Sequence, residues 1–118
     1  MKSNVTAHPE AIMSSICDVM ASLEAQNIRC KIMVMSSLCY ACLLKEDQEK
    51  NEEDPQVCNA NVVDLLQYGY IGTMWGSAIY IDLSLKSYDI DAYGGECRSL
   101  QTDHPDVFNK CQEIIEGP

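Results

Sequence analysis

Between residues 12 and 35 the apolar residues change their period, and that change restricts the fold more than any other feature. Ile12, Ile16, Val19, Met20 and Leu23 recur at three- and four-residue steps, with Ser14, Ser15, Asp18 and Glu24 between them. This is the one-sided pattern of an amphipathic helix. His8-Pro9-Glu10 stands ahead of it. Proline is favoured at the first helical position and a glutamate suits the positive end of the dipole, so the helix is predicted to open there. It should close near Gln26-Asn27. After a polar turn, Arg29-Cys30-Lys31-Ile32-Met33-Val34-Met35 is short and almost continuously apolar, which predicts a mostly buried strand. A chain that must bury both a helical stripe and a strand requires a helix layer on a sheet.

The remaining segments fit that plan. Ser36 or Ser37 can cap a second, shorter helix covering Leu38 to about Lys45. Lys45 to Pro55 reads KEDQEKNEEDP, six acids against two lysines. It is predicted to belong to a solvated acidic loop over residues 45–57, with one further helical turn before Pro55 as the alternative. Asn61 to Tyr68 predicts a short helix, capped by Asn59 or Asn61 and stopped by Gly69. Tyr70-Ile71 and Ala78 to Ile81 predict two strands joined around Gly72 to Gly76, where glycine permits positive φ or a bulge. Ser87 to Tyr93 alternates polar and apolar residues and predicts another strand, ending at Gly94-Gly95. Asp103-His104-Pro105 should open a last helix with Val107, Phe108, Cys111, Ile114 and Ile115 on its apolar face. The expectation is an α+β fold, helices packed on one small mixed β-sheet with a Gly-rich hairpin, in a single domain over residues 1–118.

The charge balance narrows the partners. Eighteen acids against eight bases leave a net charge of −10. Nucleic acid is bound by lysines and arginines that displace phosphate counterions, so direct nucleic-acid binding is not expected. An anionic membrane surface is disfavoured for the same reason. The apolar run Ile32 to Leu44 is well short of the ~20 residues that span a bilayer. The start, MKSNVTAHPE, lacks the apolar core of a signal peptide, so a cytoplasmic location is expected. Cysteine is odd in number, seven in all, and without an export signal the thiols are read as reduced core filling.

The segment KIMVMSSLCYACLLKED…NVVDLLQYGYIGTMWGSAIYID resembles a pattern of tailed-phage capsid-fold proteins and their encapsulin-like relatives. Ile32 to Ser36 matches a first strand, Cys39-Tyr40 the start of a short helix, and Leu65 to Gly69 a helix before a glycine. Gly72, Trp75, Gly76 and Ile79-Tyr80 match a hairpin. The likeness covers roughly residues 10–83 and corresponds to the axial domain of the capsid fold. It implies a virus-encoded protein carrying part of that fold, with Trp75 lying across the hairpin as a packing lid. The chain is too short to supply the spine helix, extended loop and N-terminal arm of a shell subunit, and residues 84–118 match nothing in the pattern.

Chemical constellations are sparse. Cys39-Tyr40-Ala41-Cys42 has the C-x-x-C spacing of redox and zinc sites. It lies within an apolar run, and Cys58, Cys97, His8 and His104 offer no second ligand pair at matching spacing. Both histidines stand beside prolines at helix starts, where capping and exposure are natural. Asp89 and Asp91 would share a strand face, but one D-x-D does not make a metal site. No catalytic residue, metal or cofactor is therefore expected. The acidic run is the remaining candidate. Glu46, Asp47, Glu49, Glu52, Glu53 and Asp54 would imitate a phosphate ladder, with Tyr68 and Tyr70 as aromatic anchors. The expected function is a non-enzymatic, phage-encoded inhibitor of a basic, nucleic-acid-binding host protein, such as a defence effector or transcription component, in the cytoplasm of the infected cell. The alternatives are a self-associating virion or assembly component related to the capsid fold, and a small cysteine-based redox or zinc protein.

Overall fold

A computed structural model of the chain describes residues 2–50, 70–74, 76–95 and 98–110. In chain order its elements are β1 (Lys2–Thr6), α1 (Ile12–Glu24), β2 (Cys30–Met35), α2 (Ser37–Lys50), β3 (Tyr70–Met74), β4 (Ser77–Ile81), β5 (Asp89–Gly94), α3 (Arg98–Asp103) and α4 (Pro105–Lys110). The strands form one mixed sheet in the order β1-β5-β2-β4-β3. β2 and β4 run parallel, and the other pairs are antiparallel. Because β1 and β2 both oppose β5, they are parallel to each other with β5 between them. The fold is α+β, helices on a single mixed sheet, as the periodicities require.

Alternation along the strands separates two cores. Met33, Met35, Ile79, Ile81, Ile90 and Ala92 face one way and pack with Ile12, Ile16, Val19 and Leu23 of α1 and with Cys39, Tyr40 and Leu43 of α2. Ile32, Val34, Ala78, Tyr80 and Tyr93 face the other way, against Leu100 of α3 and Val107 and Phe108 of α4. The central strand β2 is covered on both sides, which is why its sequence is a continuous apolar run rather than an alternating one.

Local signals explain several boundaries. The Ser36 hydroxyl accepts from the Cys39 amide (3.1 Å) and donates to the Ser87 carbonyl (2.6 Å), so it caps α2 and ties that helix to the approach to β5. Asn27 has φ of 61°, the left-handed conformation in which helices commonly end, and the Ile28 amide bonds back to the Leu23 carbonyl at 3.0 Å. Pro105 occupies the first position of α4, where its missing N–H costs nothing. In the β3–β4 hairpin Met74 pairs with Ser77, and Gly76 (φ 83°) supplies the positive φ of the turn.

Other boundaries differ from expectation. α1 opens at Ile12, not at Pro9, because residues 8–11 form a turn in which the His8 carbonyl and ring accept from the Ala11 and Glu10 amides. α2 continues to Lys50, so residues 45–50 follow the alternative of a helical extension rather than the loop. β1 and α3 lack the apolar periodicity that would announce them. The expected helix over Asn61–Tyr68, Trp75, Cys58, Cys97, Cys111, Ile114 and Ile115 lie outside the described residues.

Gly94 ends β5 against the β2 bulge between Cys30 and Ile32. A Cβ there would stand 2.4 Å from the Arg29 carbonyl oxygen and 2.6 Å from Ile28 Cγ2, and the first of these is backbone that cannot rotate away. Gly94→Ala is expected to destabilise the fold by about 1–3 kcal/mol, the usual cost of overpacking, read as a lowered urea midpoint with unchanged slope.

Candidate functional site

The polar residues that the fold brings together from the greatest sequence distances converge on His104. This residue sits at the joint between α3 and α4 and is 4% exposed. Its Nδ1 lies 2.6 Å from Oδ2 of Asp82, just past the end of β4, and its Nε2 lies 2.7 Å from Oδ2 of Asp91 in β5. β2 runs between β4 and β5, so the ring bridges two carboxylates across the end of the central strand. Each carboxylate has further donors. Asp91 accepts from Asn4 Nδ2 at 2.6 Å and faces Lys2 Nζ at 3.8 Å. Asp82 accepts from the amide and hydroxyl of Ser84. The Tyr93 hydroxyl donates to Asp103 at 2.9 Å, and Lys2 pairs with the same Asp103 at 2.8 Å.

The electrostatics follow from these contacts. Burial opposes a charge on His104, but its hydrogen bonds to Asp91 and then Asp82 outweigh it and raise its pKa. Burial likewise opposes ionisation of Asp91, and the bonds from His104 and Asn4 with the Lys2 charge hold its carboxyl below the ordinary value. Asp82 is lowered against its own burial by Ser84 and His104. Tyr93 is pushed upward by burial and by the Asp91 charge, so its hydroxyl stays protonated as a donor. Both ring nitrogens are engaged by carboxylates, so neither is open to a substrate proton. The expectation of an exposed histidine at this helix start is thereby corrected: His104 is buried between two carboxylates.

The acidic run is divided by the fold. Glu46 and Asp47, expected on a solvated loop, are 6% and 0% exposed. Glu46 accepts from the amides of Ile12 (2.8 Å, Oε2) and Met13 (3.2 Å, Oε1), the first two amides of α1, whose own cap position is Ala11 with no side-chain oxygen. α2 therefore supplies the cap that the local sequence of α1 lacks. Inward-facing Glu46 and Asp47 are removed from the surface available to a partner. Glu49 is exposed and, with Glu10, rims a cleft of about 450 Å³ that also includes Pro9, Cys42 and Lys45. Glu52, Glu53, Asp54 and Tyr68 lie outside the described residues, and Tyr70 is described only as the first residue of β3.

Cys39 has the opposite character from a redox thiol. Cys39 is fully buried, and its burial pushes the thiol pKa up, whereas reactive thiols are lowered. Cys39 is expected to react with a soluble disulfide reagent about 100-fold or more slowly than exposed Cys17, since it must wait for local opening. Among the described residues no group of three or more His, Cys, Asp or Glu side chains is placed to hold a metal. Asp89 is bonded to Thr6 and Ser87, while Asp91 serves His104, so the two do not converge on a common ligand.

Sequence reasoning missed the His104 cluster because contacts that build it, such as Asn4 to Asp91, span 87 residues of chain. The available signal was an aspartate-rich alternating strand, SYDIDAY, in a fold with a histidine on a covering helix. Comparison with protein-family models, with curated proteins and with solved structures gives no match. Among the described residues no helix is long and apolar enough to cross a membrane.

Proposed function

We propose that this is a virus-encoded, non-enzymatic acidic protein that binds a basic, nucleic-acid-binding host protein and occludes its nucleic-acid site. The carrying observation is the charge of −10 on 118 residues, with six of the eighteen acids within residues 46–54. The resemblance of residues 10–83 to the phage capsid-fold pattern supports a viral origin. Commitment of the one buried histidine among the described residues to two carboxylates supports a binding role over acid–base catalysis.

The fold narrows the contact set. Glu49 remains, together with Glu52, Glu53, Asp54, Tyr68 and Tyr70, while Glu46 and Asp47 act inside the domain. Carboxylates attract a basic groove at long range and are screened by salt.

The test is to immobilise the full chain in host lysate at low salt, identify retained basic proteins, and titrate each with duplex DNA and with this protein. A retained protein should be released on raising the salt and should lose DNA as this chain is added. Replacing Glu49, Glu52, Glu53 and Asp54 together by their amides should abolish capture. Equal capture by that variant would overturn the reading. So would salt-resistant self-association with no basic partner, which is the behaviour of an assembly component.

A further inference from the structure

We propose that α3 and α4 form a flap over the second face of the sheet, held shut by His104 acting as a proton-operated latch. A neutral imidazole carries one N–H and one bare lone pair. A bare lone pair 2.6 or 2.7 Å from an ionised carboxylate oxygen is repelled, so with Asp82 and Asp91 both ionised the two contacts coexist only when both nitrogens carry protons. When the ring loses a proton, one of the two carboxylates loses its donor, and the joint between the helices must move away from it.

α3 is also tied to the sheet through Asp103, which bonds Tyr93 and Lys2. α3 and α4 are described over Arg98–Asp103 and Pro105–Lys110, and helices of globular proteins draw most of their stability from packing. Among the described residues, their apolar hold on the sheet is Leu100, Val107 and Phe108. Beneath them lies the face made by Ile32, Val34, Ala78, Tyr80 and Tyr93, which release would uncover.

The charged and titratable groups facing the latch come from each element packed around it. Asp82 follows β4. Asp91 and Tyr93 belong to β5, the tyrosine ring standing edge-on at 6.3 Å. Lys2 of β1 reaches Asp91, and Asp103 of α3 joins Lys2 to Tyr93. β2 contributes only apolar side chains to this face. The raised pKa of His104 sets the direction: the latch is complete at and below the ordinary histidine range and is lost as pH rises through the elevated value.

Two measurements on the full chain test this. Long-range nitrogen–proton NMR should find both His104 ring nitrogens protonated at neutral pH. Amide exchange from pH 6 to 10, corrected for intrinsic rates, should then show residues 98–110 losing protection as the ring titrates while α1 and β2 keep theirs. Asp82→Asn, which retains an oxygen for Ser84, should shift that midpoint down by about one pH unit or more. His104→Gln should leave the flap open at every pH. A singly protonated ring at neutral pH, protection of 98–110 lost only together with that of β2, or an unmoved midpoint in Asp82→Asn would each overturn the latch. Should the variants fail to fold, the two wild-type measurements still decide it.

Discussion

Replacing His104 by leucine is expected to destabilise the protein by about 3 kcal/mol at neutral pH, a fall in Tm on the order of 10–20 °C. Breaking one side of a buried ion pair costs about 3–5 kcal/mol because it leaves the other charge buried without its partner. The lower end applies here, since Asn4 still donates to Asp91 Oδ1 and Ser84 still donates to Asp82. The double variant His104→Leu/Asp91→Val separates stranded charge from lost packing. If the stranded carboxylate is the cause, the double variant should be more stable than His104→Leu alone, because apolar replacements of a buried pair are often neutral or better. A double variant that is less stable by the full sum of both single losses would contradict this account.

The same cluster fixes the pH profile. His104 is raised, so its contribution is complete below the unfolded histidine value and disappears as pH rises through the folded one. Asp82 and Asp91 are lowered, so theirs is complete above the unfolded carboxylate value and disappears as pH falls through the folded ones. Stability measured by urea unfolding should therefore be flat between about pH 5 and 6.5 and fall on both sides. His104→Leu should remove the alkaline fall attributable to the ring.

Glu46→Ala is expected to cost about 2–3 kcal/mol, more than an ordinary cap. A surface cap leaves its amides to water when it is removed. Glu46 bonds two amides at once, one of them buried, and the charged acceptor also offsets the helix dipole. Glu46→Gln keeps an acceptor oxygen but loses the charge, and should recover roughly half of the loss. Hydrogen exchange gives the specific signature, with the Ile12 and Met13 amides losing protection in Glu46→Ala before the middle of α1 does. Equal stability of Glu46→Ala and the wild type would mean that α1 is capped in another way. Because the residue lies in the acidic run, this variant also separates stability from partner binding: Glu49 is exposed, and neutralising it should leave stability within ~0.5 kcal/mol.

Residues 10–35 and 87–94 show how far contiguous chemistry reaches. The stripe Ile12, Ile16, Val19, Leu23 lies on the buried face of α1, and the run 30–35 is the doubly covered central strand. The serine before α2, the asparagine after α1 and the proline opening α4 act where residue type alone places them. Each of these is a local preference or a simple period, read within a few residues of chain. Asp89–Gly94 is legible as a strand for the same reason, although nothing in SYDIDAY reveals which aspartate is buried.

Tertiary structure decided everything in which a polar residue gains its role from a distant partner. KSNVT offers one apolar side chain inside the strand and no strand signal. It pairs with β5 because Lys2, Asn4 and Thr6 each meet an acid 83 or more residues away in sequence. KEDQEK looks solvated, yet two of its carboxylates turn inward, one of them to close a helix that begins 34 residues earlier. His104 looks like a surface cap until the sheet sets Asp82 and Asp91 on either side of it. The physical reason is common to the three cases: an apolar side chain prefers burial whatever it meets, so its pattern alone carries information, whereas a charged group is buried only where the fold supplies a counter-charge or donor, and that supply is written elsewhere in the chain.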